Sequence, residues 1–277
     1  MNRIEGRYIS LLTDFGFMRI FGTKPNKDLL INFLNSLFEG FQVIKDVKYL
    51  NSEHVGDVFA ERKPIFDVYC ENEKGEKFIV EMQNASIFPI REQAPKGADW
   101  NFKLDHVYIV ALLNFDLEVE AFDKNDINHD VGLLDKKTHK VFNDKLSFKY
   151  VEIAKFDKTE DELVTLYDKW LYVLKNLSRL DERPAALKEK VFTKLFEEAE
   201  IAKFTPTELK EYEDSLKAYR DVKNSIDTAL EKGREEGRAE SKNLKVIQIA
   251  KKMLAAGMDI DTIINMTDLS KSEIEKL

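Results

Sequence analysis

The sequence predicts a mixed α/β (α+β) fold, in which a central sheet is flanked by helices and followed by an α-helical C-terminal region. Three observations support this prediction. Two hydrophobic runs on either side of a polar turn that ends in Gly75 are typical of a β-hairpin. The uninterrupted apolar run from Val107 to Phe115 predicts a buried strand. From Glu160 to Arg220, apolar residues recur at helical spacing.

The elements before and after this hairpin follow from the same patterns. Thr13 or Asp14 can cap a first helix, and Asp28 to Leu37 predicts a second, apolar helix. Phe41 to Leu50 partly alternates between apolar and polar residues, which indicates a candidate strand. Val141 to Phe156 offers one or two further strands. The predicted order is therefore two helices, a strand, the hairpin, a buried strand and a last strand region.

The C-terminal region is predicted to consist of helices. The charged, glycine-containing segment from Glu231 to Lys242 marks a boundary and is typical of a solvated helix or linker. Leu244 to Leu254 and Ile260 to Met266 are amphipathic, and Ser270 with Glu273 forms a capping box for a third helix. Short helices joined by tight turns resemble a helix-turn-helix.

Two interpretations of this tail stay open, a DNA-binding unit and an accessory or oligomerising helical bundle. The acidic residues Asp259, Asp261 and Asp268 lie within it, and carboxylates suit contact with phosphates poorly. We therefore favour the bundle at this point.

Composition places the chain among globular proteins of a reducing compartment. The 277 residues carry a net charge of −8, so no overall positive charge indicates a nucleic-acid partner. Cys70 is the single cysteine, which excludes an intrachain disulfide. No apolar run reaches the roughly 18 residues of a membrane span, and we expect a cytoplasmic protein. The four histidines lack the spacing of metal ligands, which predicts surface or packing roles for them.

The predicted hairpin sets polar side chains side by side. If its turn is symmetric, Val68 faces Val80 on an apolar face, and Asp67 faces Glu81 on the other face. Gln83 lies two residues beyond Glu81 and therefore on the same side. Directly opposed carboxylates repel each other by up to about 1 kcal/mol unless a cation compensates them.

A divalent cation suits these oxygen donors. Mg²⁺ prefers a few carboxylate oxygens together with water, so Asp67 and Glu81 would hold it. The main-chain carbonyl of Met82 is a natural further ligand, and Gln83 would orient the water that attacks a phosphodiester. From the pattern alone, a solvated sheet face is the alternative, because polar residues on the exposed side of a hairpin are common.

Several blocks of the sequence are similar to a nuclease family. They are Thr13 to Leu37, Arg62 to Gln83, Phe88 to Phe115, Asp168 to Leu177 and Tyr212 to Ala229. In these blocks the chain resembles the PD-(D/E)XK nuclease superfamily, in its Rpn branch of recombination-promoting nucleases and transposases. The resemblance implies a restriction-endonuclease-like core and a DNA endonuclease that uses Mg²⁺, for which Mn²⁺ can substitute. It also implies that the catalytic Asp and the Glu-x-Gln strand fall on Asp67, Glu81 and Gln83.

The resemblance extends to supporting residues and shows two departures. Asp14 falls in the family's Asp-x-x-Phe-Lys block, where it would support the metal or the DNA, and a helix N-cap is the alternative. Met18 occupies the lysine position of that block, and the neighbouring Arg19 points about 100° away on a helix. The family's segment after the Glu-x-Gln strand, with a helix beside the site, is missing. Arg91 and Lys96 are its nearest substitutes.

These inferences predict three regions and one preferred function. A nuclease-like core spans residues 1–158, a helical region packed on it spans 159–230, and a charged linker with a small helical tail spans 231–277. We expect a metal-dependent DNA endonuclease with little sequence preference and with no membrane partner. The alternatives are a catalytically impaired relic that binds DNA or protein, and an oligomeric helical scaffold.

Overall fold

The computed structural model describes residues 6–50, 68–82, 105–117, 119 and 122–277. Within these ranges, six strands form one sheet in the order β1-β2-β3-β4-β6-β5. The strands are β1 (Val47–Tyr49), β2 (Val68–Asn72), β3 (Lys77–Met82), β4 (Val107–Leu113), β5 (Asn128–Leu134) and β6 (Val141–Glu152). The helices are α1 (Asp14–Phe21), α2 (Lys27–Leu37), α3 (Leu166–Asn176), α4 (Lys190–Glu198), α5 (Pro206–Ala255), α6 (Ile260–Thr267) and α7 (Lys271–Ile274). The predicted α/β fold with a helical C-terminal region is confirmed.

The helices on one side of the sheet pack around an aromatic centre. Trp170 of α3 is fully buried, and its ring lies 5.7 Å from Phe21, 5.6 Å from Phe33 and 5.1 Å from Phe192. Its indole N–H donates to the side-chain oxygen of Asn32 at 2.8 Å, so the polar atom of this buried ring has a partner. One large residue thereby joins α1, α2, α3 and α4 into a single core.

The β2–β3 hairpin has the predicted register. The described pairs are Val68 with Val80, Tyr69 with Ile79, Cys70 with Phe78, and Glu71 with Lys77. Gly75 has φ +81°, a conformation that glycine adopts without steric cost, so the turn closes at the predicted place. The alternation of side chains therefore assigns each hairpin residue to the predicted face.

Both faces of the hairpin are covered. Cys70 and Phe78 contribute to the main core, and burial raises the pKa of the Cys70 thiol to about 12. On the opposite face, Ile79 is fully buried in a smaller cluster with Ile109 and Leu146. At Ile79, the alternative of a solvated sheet face is therefore wrong.

Three neighbouring strands run parallel. β4 pairs with β3 on one side and with β6 on the other, in parallel in both cases. Their carboxyl ends consequently lie at the same end of the sheet, where ligands of open α/β sheets commonly bind. The buried strand predicted from Val107 to Phe115 is confirmed as β4. The region from Val141 to Phe156 contains one long strand, β6, which ends at Glu152 and is followed by a short 3-10 helix.

Two strands differ from expectation. The candidate strand from Phe41 to Leu50 is reduced to the three residues of β1, and Phe41 and Val43 before it are exposed. The edge strand β5 was not predicted. Its sequence, NHDVGLL, contains Asn, Asp and Gly, which are rare in strands, and it forms an antiparallel pair with β6.

The C-terminal part is helical, and its helices begin and end at residues other than the predicted ones. The chain divides into two compact units, Met1–Lys217 and Ala218–Leu277. Residues 231–242, expected as a linker or solvated helix, and the separately predicted helix 244–254 both belong to α5. The second unit has a small core of its own, formed by Ala250, Ile263 and Ile274. The predicted capping box at the start of α7 is confirmed.

In the described ranges, no helix has the length and apolar character needed to cross a membrane.

Candidate metal centre at the end of the sheet

Glu81 lies near the carboxyl end of β3, an interior strand of the sheet. Its side chain is only 2% exposed, which is unusual for a carboxylate. The strand reads KFIVEM and pairs with β2 on one edge and with β4 on the other. Its two faces are covered by separate hydrophobic clusters, because Val80 belongs to the main core and Ile79 to the smaller one. In the parallel register, Glu81 is level with Ala111 of β4, whose small side chain occupies little space beside the carboxylate. The fold therefore places one predicted ligand at a rigid, buried position.

The other predicted residues of the centre divide into two groups. Met82 is buried beside Glu81 and pairs with Leu112, so its main chain is held in the sheet. Asp67, Gln83 and Arg91 lie outside the described residues, and their roles stay predictions. Over the part of the chain that the structure describes, no group of three or more His, Cys, Asp or Glu side chains could hold a metal ion.

Asp14 does not cap a helix. The Thr13 hydroxyl accepts a hydrogen bond from the Gly16 N–H at 3.1 Å, so Thr13 is the N-cap of α1 and Asp14 is its first helical residue. The expected capping alternative for Asp14 is therefore wrong. Its exposed carboxylate lies in the first turn, where the helix dipole favours negative charge.

Arg19 is held by contacts between helices. Its guanidinium donates to the carbonyl of Glu198 at 2.9 Å and to the carboxylate of Glu208 at 2.6 Å, and it lies over the ring of Phe204. Hydrogen bonds from the main chain and hydroxyl of Thr205, together with Arg19, lower the pKa of Glu208 to about 2. These contacts join α1 to α4 and to the start of α5, which gives Arg19 a structural role in addition to its predicted one.

A second buried carboxylate belongs to Glu152, the last residue of β6. Its side chain is fully buried, forms an ion pair of 2.7 Å with Lys155 and makes a hydrogen bond of 2.7 Å with the ring of His129. The main-chain N–H of Leu117 donates to its other oxygen. The ring of Phe122 stacks on His129 at 3.9 Å. This cluster fastens the chain that follows β4 and the start of β5 to the end of β6.

The contacts of Glu152 keep it ionised. Burial alone would raise the pKa of this carboxyl, but the hydrogen bonds from Lys155, Leu117 and His129 outweigh burial and hold the pKa below its usual range. The sequence predicted a surface or packing role for His129, and the structure shows it buried at a polar contact.

The two buried carboxylates lie on one face of the sheet. Glu81 is level with Ala111, Ala111 with Tyr150, and Tyr150 with His129, so these four residues form a row across four strands. At about 4.8 Å between neighbouring strands, His129 lies roughly 14 Å from Glu81. Glu152 is on β6, two strands from Glu81, and its carboxylate oxygens are engaged by Leu117, His129 and Lys155, so the effect of this cluster is to fix the sheet end near it.

Comparison with known families gives two matches. A model described as PD-(D/E)XK nuclease family transposase matches residues 11–229, which is well over half of the chain and includes Glu81. A model described as Rpn/YhgA-like nuclease family, C-terminal HTH domain, matches residues 243–277. Searches of curated proteins and of solved structures gave no match. The second match favours the helix-turn-helix interpretation of the tail over the accessory bundle.

Proposed function

Because the chain belongs to the PD-(D/E)XK nuclease family transposases and ends in a helix-turn-helix domain of the Rpn/YhgA-like nucleases, we propose that it is a metal-dependent DNA endonuclease. The observation that supports this most strongly is the buried carboxylate of Glu81 at the carboxyl end of β3. Removing a carboxylate from water costs several kcal/mol. A metal ligand has to be held rigidly in this way, whereas a carboxylate that only solubilises a sheet face does not.

The proposed ligands are Asp67, Glu81 and the main-chain carbonyl of Met82. All three are hard oxygen donors, the type that Mg²⁺ and Mn²⁺ prefer. The register found from Val68 to Glu71 supports the pairing, because the same register continued by one residue would set position 67 opposite position 81. The donors present therefore fit a divalent cation. When bound, Mg²⁺ supplies a Lewis acid that polarises a water molecule and the scissile phosphate.

Gln83 would position the reacting groups. Its amide can donate one hydrogen bond to a phosphate oxygen and accept another from water, but it carries no charge and transfers no proton near neutral pH. The lysine of the superfamily's name is absent at this position, so the centre depends on the two carboxylates for its charge. Hydrolysis at such a site adds water across the P–O bond and leaves a phosphate on one end and a hydroxyl on the other.

DNA as the substrate is supported by the helix-turn-helix match rather than by overall charge, which is −8. A domain that binds duplex raises the local concentration of DNA around the nuclease domain to which it is linked. We propose that the tail supplies affinity in this way, while the nuclease domain cleaves with little sequence preference.

Incubation of the full chain with supercoiled plasmid tests the proposal. We expect nicking in Mg²⁺ or Mn²⁺, loss of nicking with a chelator, and loss of nicking in the double variant Asp67→Ala, Glu81→Ala. Circular dichroism of the variant verifies its fold. Equal nicking by both proteins would show that the hairpin is not the active centre. If neither protein nicked DNA, the chain would be a catalytically impaired relic of the family.

A further inference from the structure

A β-hairpin arm extends past the end of the sheet opposite to Glu81. β6 pairs with β4 only from Leu146 onward, whereas its earlier residues pair only with β5. The register between β5 and β6 shifts on both sides of Leu133, and such irregularities increase the local twist. We call residues 133–145 the arm. It is a two-stranded ribbon that the rest of the sheet does not flank.

The tip of the arm is ordered by its own hydrogen bonds. The carboxylate of Asp135 accepts from both the N–H and the hydroxyl of Thr138, each at 2.7 Å. The main-chain N–H of Asp135 donates to the carbonyl of Lys140, and the N–H of His139 donates to the carbonyl of Asp135, each at 2.9 Å. His139 adopts the left-handed conformation, with φ +53°, that closes the turn. A tip held in this way loses little conformational freedom when it binds.

The arm carries a local excess of positive charge on an acidic protein. Its exposed lysines are Lys136, Lys137, Lys140 and Lys145, and none of them takes part in an ion pair among the described residues. The arm also contains two carboxylates, Asp135 and Asp144, so the four lysines leave it with a net charge of +2. A cluster of lysines that keeps its charge available is typical of a surface that binds phosphates.

Apolar side chains lie among these lysines. Phe142 is 78% exposed, Val141 65% and Leu134 56%. Large apolar residues grouped on a surface indicate a binding site, and here they sit on a narrow ribbon with a basic tip. Both β-ribbons and apolar wedges that separate base steps are known modes of DNA binding.

We propose that the arm binds duplex DNA, with its lysines on the phosphates and Phe142 against the bases. A second copy of the chain is a weaker candidate for the occupant. Symmetric pairing of two arms would bring two lysine-rich tips together, and like charges across an interface oppose association. DNA satisfies both features at once, because it presents phosphates along each groove and base steps between which an apolar side chain can wedge.

The length of the strands sets the distance between the arm and the candidate centre. Tyr150 lies in the same row as Glu81, and the stretch of β6 from Val141 to Tyr150 spans up to about 30 Å at ~3.3 Å per residue. One turn of B-DNA measures about 34 Å. The arm would therefore contact the duplex roughly one helical turn from the phosphate being cleaved. After one turn, the contact falls on the same side of the double helix as that phosphate. This position relative to the cleaved phosphate rests on the proposed function. DNA binding by the arm does not.

A charge-removing variant tests the proposal in the full chain. The triple substitution Lys136→Gln, Lys137→Gln, Lys140→Gln is compared with Lys188→Gln, Lys190→Gln, Lys210→Gln, which alters three exposed lysines elsewhere in the first unit. Binding of a fluorescent duplex three turns long is measured with chelator between about 50 and 200 mM salt. We expect the slope of log affinity against log salt to fall by about 3 in the arm variant, with affinity at least about tenfold weaker, and no change in the control.

An unchanged slope in the arm variant, or an equal loss in the control, would overturn the proposal. Because the chelator prevents metal-dependent cleavage, the result does not depend on whether the protein is a nuclease.

The substitution Phe142→Ala measures the contribution of the apolar side chain to DNA affinity separately from that of the lysines. We expect affinity for duplex to fall several-fold with no change of salt slope, because an uncharged side chain releases no counterions. Sedimentation of the same variant tests whether the arm instead binds a second copy of the chain. Dissociation of an oligomer by Phe142→Ala, together with unchanged DNA binding by both arm variants, would show that the arm joins two copies of the chain and would overturn the proposal.

Discussion

The single substitution Glu81→Gln is expected to lower the rate of DNA nicking at least about a hundredfold while leaving the protein folded. Glutamine has nearly the same shape as glutamate, so it can pack at the buried end of β3. It lacks the negative charge that would hold a divalent cation. The measurement is the initial rate of plasmid nicking in Mg²⁺, together with the thermal unfolding midpoint of each protein.

Glu71→Gln is the matched control for this variant. Glu71 lies on the same face of the hairpin, toward its turn, where its carboxylate is partly exposed and 3.7 Å from Lys77. An exposed ion pair contributes only about 0–1 kcal/mol, so its loss changes neither fold nor activity appreciably. Equal rates for wild type and Glu81→Gln would contradict the assignment, as would an equal loss in the control.

Glu152→Gln is expected to reduce the free energy of unfolding by about 3–5 kcal/mol, the effect of breaking a buried ion pair by removing one partner. The amide keeps the volume of the side chain but leaves the charge of Lys155 without its buried carboxylate. Urea unfolding near neutral pH measures the loss. Asp130→Asn is the control, because Asp130 pairs with Lys149 on the same two strands but is exposed, and it should cost less than about 1 kcal/mol.

The same variant also changes the dependence of stability on pH. The pKa of Glu152 is lower in the folded protein than in the unfolded chain, so its contribution is complete above the usual pKa of a glutamate. That contribution is lost as pH falls through the lowered pKa of the folded state. Between about pH 6 and pH 3, wild type should therefore lose more stability than Glu152→Gln. Parallel stability curves for the two proteins would show that Glu152 is not held ionised in the fold.

The hairpin was predictable because its information is local. Alternating side chains and one glycine with positive φ fix which residues of β2 and β3 face each other, and the described register agrees. Strand β5 was not predictable in the same way. Asn128–Leu134 has weak strand propensity, and it becomes a strand because β6 offers a partner along its edge.

The candidate site residues also divide into those that local sequence indicates and those that depend on contacts between distant parts of the chain. Glu81 is visible in the sequence because it belongs to a strong strand pattern. The contact between His129 and Glu152 joins residues 23 positions apart, and neither neighbourhood indicates that both would be buried. Such a cluster depends on the pairing of β5 with β6, which no local pattern specifies.

The preference for an accessory bundle in the tail has a physical explanation. The acidic residues Asp259, Asp261 and Asp268 suit contact with DNA phosphates poorly. Asp259 is the N-cap of α6, where its side chain accepts from the Thr262 N–H at 2.9 Å, and Asp268 ends the same helix in the left-handed conformation. These residues define the ends of a helix, so their charge says little about which surface meets a partner.

Direct measurement of metal binding is the sharpest test of the proposed centre. Titration of the full chain with Mn²⁺, followed by the electron paramagnetic resonance signal of the unbound ion, should reveal a site that Glu71→Gln retains. That site should be lost in both Glu81→Gln and Asp67→Asn, because each removes one of the two carboxylate ligands. Retention of the site in both of these variants would contradict the assignment of Asp67 and Glu81 as the metal ligands.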